Sequence, residues 1–191
     1  MRPIEGVRGR LCEEKRDATR RERAGGRREN SMIRNATIKD VKEIHTLLKH
    51  FAGKGLLLAR SISSLYDQLR DFVVYVDETD TILGVCAFHI IWEDLAEIRS
   101  LAVKEEAHGR GIGAQLVGNC LREAEHFGIR RVFVLTYQAG FFKKQGFADI
   151  DKKELPHKIW GDCVHCPMFP DCDEEALIFM REPENITEIS E

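Results

Sequence analysis

Leu101-Ala102-Val103 leads into His108-Gly109-Arg110-Gly111-Ile112-Gly113-Ala114. An apolar strand enters a loop in which every second residue from 109 to 113 is glycine. A helix then begins at once, because Ile112, Leu116, Cys120, Leu121, Ala124 and Phe127 recur at helical spacing. Glycine lets backbone N–H groups come close to a ligand. A helix start adds unpaired donors and the positive end of a dipole. Strand, glycine turn and helix start together form a cradle for a diphosphate.

The elements around this stretch make a dinucleotide-binding sheet the poorer reading. No acidic residue closes a second parallel strand at the expected distance, and the strands before the loop read as an antiparallel meander. Ile33 to Ile38 is strand-like. Val41, Ile44, Leu48 and Phe51 form the apolar face of a helix that ends at Gly53 and Gly55. Ser61 reads as an N-cap for a second helix carrying Ile62, Leu65 and Leu69. Phe72 to Val76 is a short buried strand, and Ile82 to Ile91 a long one after the turn Asp77 to Asp80. Glu93-Asp94 turns the chain into Leu95 to Val103. The long helix stops near Gly128. Arg131 to Tyr137 is a strand, Phe141 to Gln145 a short helix, and Ala176 to Arg181 the final strand. The order is β-α-α-β-β-β-α-β-α-β.

At 191 residues, 43% hydrophobic and 32% charged, the chain suits one soluble domain with a substantial core. No apolar run reaches the roughly 20 residues of a membrane span, and there is no signal-peptide core, so neither membrane nor secretion is expected and the location is read as cytoplasmic. Net charge is −3, which does not advertise nucleic acid. Met1 to Ser31 departs from that average: nine Arg and one Lys face six acids, +4, which leaves −7 for the rest. With few large apolar residues it is expected to be a disordered basic extension. The expected domain is 32–182, with 183–191 as a tail, and Met32 is a candidate translation start.

The loop resembles the coenzyme A-binding motif of the GNAT N-acetyltransferases, Arg/Gln-x-x-Gly-x-Gly/Ala. Gly111 and Gly113 match, His108 stands where Arg or Gln is usual, and Arg110 is an alternative source of charge. Further stretches resemble the acetyltransferase domain of bacterial N-acetylglutamate synthases. These are 55–61 (Gly-Leu-Leu-Leu-Ala-Arg-Ser), 96–103, 132–136, 141–147, and the turn Leu155-Pro156-His157-Lys158. The resemblance spans about residues 32 to 182. It implies a mixed α/β fold, a twisted mixed sheet flanked by helices on both faces. The strand before the glycine loop splays from its neighbour, and the pantetheine arm lies in the gap. It also implies acetyl-CoA as co-substrate, held by Leu101, Ala102, Val103, His108, Gly109, Arg110, Gly111, Ile112, Gly113 and Ala114. The expected reaction is acetyl transfer to the amine of L-glutamate or a similar small amine, the first step toward arginine. The longer enzymes end in a basic strand that helps hold the substrate. Here that place reads Cys172-Asp173-Glu174-Glu175-Ala176-Leu177, which keeps another small amine, or a non-catalytic acetyl-CoA- or metal-binding module, in view.

Acetyl transfer needs a free amine, a place for negative charge on the carbonyl oxygen, and a proton for the departing thiolate. Glu97 is the candidate base. By the period of two it shares one strand face with Arg99 and Leu101; pairing with Arg99 is its structural alternative. The resemblance implies that backbone N–H near Val103 holds the oxyanion. It also places a tyrosine four residues before Gly146, where this chain has Phe142, so Tyr137 is the nearest candidate phenol. Arg60, Arg99 and Lys158 are candidate partners for substrate carboxylates, since arginine binds carboxylate bidentately. Arg60 matches the arginine of the family's Arg-Ser pair.

Six cysteines are present. Cys86 and Cys120 fall in apolar patterns and are expected as buried thiols. Cys163-x2-Cys166-x5-Cys172, with His157 and His165 nearby, offers ligands for a structural zinc, with reduced thiols as the alternative. The sequence leaves a homodimer open.

Overall fold

The computed structural model of the chain describes residues 32–155 and 173–182. The basic extension, the tail, and the residues His157, Lys158, Cys163, His165, Cys166 and Cys172 lie outside the described residues.

Seven strands form one sheet: β1 Met32–Asn35, β2 Phe72–Val76, β3 Ile82–Trp92, β4 Leu95–Val103, β5 Arg131–Thr136, β6 Ala148–Asp149 and β7 Glu175–Met180, in the order β1-β2-β3-β4-β5-β7-β6. Among the described residues four α-helices accompany them: α1 Val41–Gly53, α2 Ile62–Asp67, α3 Ile112–His126 and α4 Ala139–Lys143. Every neighbouring pair is antiparallel except β4–β5, which is parallel. A parallel pair needs a crossover, and α3 supplies it. The sequence order holds, with β6 added. The first strand ends at Asn35, because Thr37 to Asp40 turn into a single 3-10 turn. The short helix starts two residues earlier than expected and the last strand one residue earlier.

The sheet is covered on both faces. α3 lays Ile112, Leu116, Val117, Cys120 and Ala124 against Val73, Phe88, Ile98 and Val132. On the opposite face α1 buries Val41, Ile44, Leu47, Leu48 and Phe51 against Phe72, Val74, Val85 and Ala102. Each of the buried Val, Leu, Ile and Phe side chains contributes about 1.5–3 kcal/mol. Cys86 and Cys120 are buried free thiols 3.6 Å apart. The hydrogen bond between them, and then burial, push the Cys86 thiol up.

Two irregularities shape the region beside the glycine loop. First, β4 pairs with β5 only over Leu95–Glu97 against Arg131–Phe133. β4 runs on to Val103 while β5 continues to Thr136 along β7, so the sheet opens as a V. Second, β4 bulges. Val85 faces Ala102 and Ala87 faces Arg99, so β4 spends one extra residue, and Ser100 sits at φ 55°. A bulge inverts the alternation beyond it. Glu97 and Arg99 therefore share the α1/α2 face, but Leu101 does not. Leu101 and Val103 turn toward the α3 core, and Ala102 takes the α1 side. The expectation that Leu101 shares a face with Glu97 is corrected by this slip.

Candidate active site

The V holds a cavity of about 880 Å3. One lip is Ile98–Val103 of β4; the other is Val134, Leu135 and Thr136 of β5. Leu101, Ala102, Val103, His108, Gly109, Gly111, Ile112, Gly113 and Ala114 all line it. Arg110 is exposed and lies outside the lining. His108 is used locally: its Nε2 donates to the Val103 carbonyl over 2.8 Å, and its ring stacks on Phe51 with centroids 6.4 Å apart. The imidazole thus ties the loop to the end of β4.

The N-terminus of α3 opens beside the cavity. Gly111 is its N-cap at φ 74°, with no capping side chain and no acidic residue in the first turn. That φ is costly for any residue with a Cβ. A Cβ on Gly111 would meet nothing within 4 Å, so the backbone faces open space where a ligand can approach. Gly113 is packed differently: a Cβ there would sit 3.2 Å from Phe141 of α4. Donors and dipole left unsatisfied at such a terminus suit an anionic group, and the apolar lips suit a flexible arm. These residues fit acetyl-CoA.

The other end of the cavity is polar. Arg60 Nε donates to Ser100 Oγ over 2.7 Å, and Arg60 Nη1 donates to Gln68 Oε1 over 2.8 Å. Arg99 Nη2 donates to the same Gln68 oxygen over 3.0 Å. Arg99 Nη1 lies 3.4 Å from Glu97 Oε2, and Arg99 Nη2 lies 3.7 Å from Asp71 Oδ2. Asp71 Oδ2 accepts from His89 Nδ1 over 2.6 Å. Arg60, His89, Glu97 and Arg99 all line the cavity. Ser61 caps α2 by accepting from the Ser64 N–H, which fixes the turn that carries Arg60.

The structure thus brings Arg60, Glu97 and Arg99 together with the acetyl-CoA loop. It does not bring Tyr137 to the cavity, whose lining takes Thr136 and Gln138 on either side of it. Phe142, in the place of the usual tyrosine, is buried against Phe147 with ring centroids 5.4 Å apart. Sequence reading missed Gln68, Asp71, His89, Lys152 and Glu174. His89 carried a signal: it is a polar residue at an inward position of an apolar strand. Among the described residues no cluster of His, Cys, Asp or Glu is placed to hold a metal, and the expected zinc ligands lie outside them. No described helix is long and apolar enough to cross a membrane.

The comparisons agree with this geometry. Residues 41–147 match the model of the acetyltransferase (GNAT) family. An uncharacterised N-acetyltransferase of Chlorobaculum tepidum is 40% identical over 149 residues, 78% of this chain and 96% of that protein. An amino-acid acetyltransferase of Mycobacterium tuberculosis is 37% identical over 133 residues, 69% of this chain and 76% of its own. The N-acetylglutamate synthase of Neisseria gonorrhoeae, solved with coenzyme A and N-acetyl-glutamate, superposes with a TM-score of 0.74 at 25% identity, covering 82% of this chain and 36% of the longer enzyme. With a splayed β4–β5 pair, an uncapped helix beside the gap, and these relatives, the chain belongs to the acetyltransferase (GNAT) family.

Proposed function

We propose that this acetyl-CoA-dependent N-acetyltransferase delivers the acetyl group to the α-amine of L-glutamate, the first step toward arginine. The observation that carries the reading is the pair of guanidiniums at the polar end of the cavity, Arg60 and Arg99, held beside Glu97. Two arginines suit the two carboxylates of the acceptor. The curated relatives named amino-acid acetyltransferase and the Neisseria synthase support the same class of acceptor.

The residues that would hold acetyl-CoA are the β4 edge from Leu101 to Val103 and the loop from His108 to Ala114. Acetyl-CoA supplies an activated thioester. In this reading backbone N–H near Val103 stabilises charge developing on its carbonyl oxygen. Glu97 takes the proton of the amine, directly or through one water. The departing thiolate, a good leaving group, is protonated by solvent, since Tyr137 is not at the cavity.

A second reading has its own observation. Glu174, the buried residue just before β7, lines the cavity where the longer enzymes carry a basic strand. A carboxylate there favours an acceptor with a neutral or cationic side chain. Thiol release from acetyl-CoA with glutamate, glutamine and lysine separates the two. Glutamate turned over fastest supports the synthase, and lysine or glutamine fastest supports the rival.

A further inference from the structure

His89 has no role in the acetyl transfer described above, yet it is built into the same wall. It stands directly across from Glu97 in the β3–β4 pairing, so both side chains leave the same face of the sheet. Opposed residues of an antiparallel pair have Cβ atoms about 4.5–5.5 Å apart. His89 Nδ1 is 2.6 Å from Asp71 Oδ2, and a carboxylate can only accept, so Nδ1 carries a proton. In the neutral ring the lone pair then lies on Nε2, and the residue lines the cavity. The charged groups around the imidazole are Asp71, Glu97, and Arg99, which approaches the same Asp71 oxygen at 3.7 Å. Exposure rises along the row: the side chain of Glu97 is 13% exposed and that of His89 is 31%.

We infer that His89, oriented by Asp71, is a proton-relay residue that clears Glu97 for the next turnover. The proton leaves the amine nitrogen for the Glu97 carboxylate, passes from the Glu97 hydroxyl to His89 Nε2, and leaves the imidazolium for solvent. Asp71 stays ionised, fixing the ring tautomer and stabilising its cation. Glu97 is the more enclosed of the two, and the imidazole is its exit. A relay in this sense needs an open lone pair on His89 Nε2 to receive the proton. The inference rests on Glu97 being the base, but not on glutamate being the acceptor.

The test uses the full chain, acetyl-CoA and whichever amino acid the wild type turns over best. His89→Ala should lower kcat roughly tenfold or more with KM for both substrates within about twofold of wild type. Free imidazole added to the assay should restore a saturable part of the loss. His89→Gln, which keeps a donor toward Asp71 but cannot take up a proton, should fall to the kcat of His89→Ala without a change in KM. Should the alanine variant fail to fold, this glutamine variant decides. Wild-type kcat in His89→Gln, or a loss in His89→Ala that imidazole does not relieve or that appears only in KM, overturns the relay. Glu97→Gln is the control: inactive Glu97→Gln beside fully active His89→Ala removes the relay and leaves the base. Full activity in both removes the base itself.

Discussion

Arg60 and Arg99 donate to one and the same oxygen, Gln68 Oε1, over 2.8 and 3.0 Å. They come from the turn before α2 and from β4, 39 positions apart, and a neutral amide keeps their like charges side by side. The amide can yield its place to a carboxylate without leaving a buried charge behind. Gln68→Glu tests this. A fixed carboxylate between the guanidiniums would occupy the substrate's partner and repel the substrate. KM for glutamate should rise roughly tenfold or more, KM for acetyl-CoA should stay put, and the melting temperature should hold or rise. An unchanged KM for glutamate would place the acceptor's carboxylates elsewhere.

Glu97→Gln keeps the size of the side chain and removes its basicity. Turnover should fall about 10²- to 10⁴-fold, the usual contribution of a general base. Affinity for acetyl-CoA, which we place on the β4 edge and the glycine loop, should barely move. The deficit should shrink as pH rises, because more amine is then free without help. Lost stability with intact turnover would make Glu97 only a partner of Arg99.

Most of this fold could be read from the chain. β2 and β4 begin and end where their apolar runs do, at Phe72–Val76 and Leu95–Val103. β6 was missed because two exposed residues held by backbone bonds to Ile178 and Leu177 leave no periodic trace. The bulge at Ser100 was missed because no glycine marks it, and strict alternation then put Leu101 on the wrong face. The glycine loop and its helix start were legible because they are contiguous. The polar end was only half legible, since Gln68 and Asp71, on the turn after α2, meet Arg99 of β4, and His89 of β3 meets Asp71, only when the sheet is assembled.

Gly111 makes a separate prediction about the cofactor end. At φ 74° an added methyl group costs about 1–2 kcal/mol of stability. It would also project into the open space before α3. Gly111→Ala should therefore fold with a modestly lowered melting temperature and a KM for acetyl-CoA raised roughly tenfold or more. An unaltered KM would show that the helix start is not where the cofactor's phosphates sit.

Stability toward acid should depend on Asp40. The two bonds from Arg34, at 2.7 and 3.0 Å, and those from the Thr37 hydroxyl and N–H hold its carboxyl well below the usual range. A depressed carboxyl contributes stability that is fully present above its unfolded pKa, about 3.9, and is lost as pH falls through the lower folded value. Asp40→Asn should thus cost about 2 kcal/mol near neutral pH. Denaturant titrations should show that gap closing below about pH 4. A gap that persists undiminished in acid would mean that packing, not charge, is what the variant loses.

An arginine pair beside Glu97 should select an acidic acceptor, and release of CoA thiol measures that selection directly. With acetyl-CoA fixed and glutamate, glutamine and lysine offered separately to the full chain, kcat/KM should be highest for glutamate by roughly two orders of magnitude. Arg60→Ala should lower kcat/KM for glutamate more than for glutamine and so shrink that preference. Equal rates for the three amino acids, or a preference for lysine, would contradict the account.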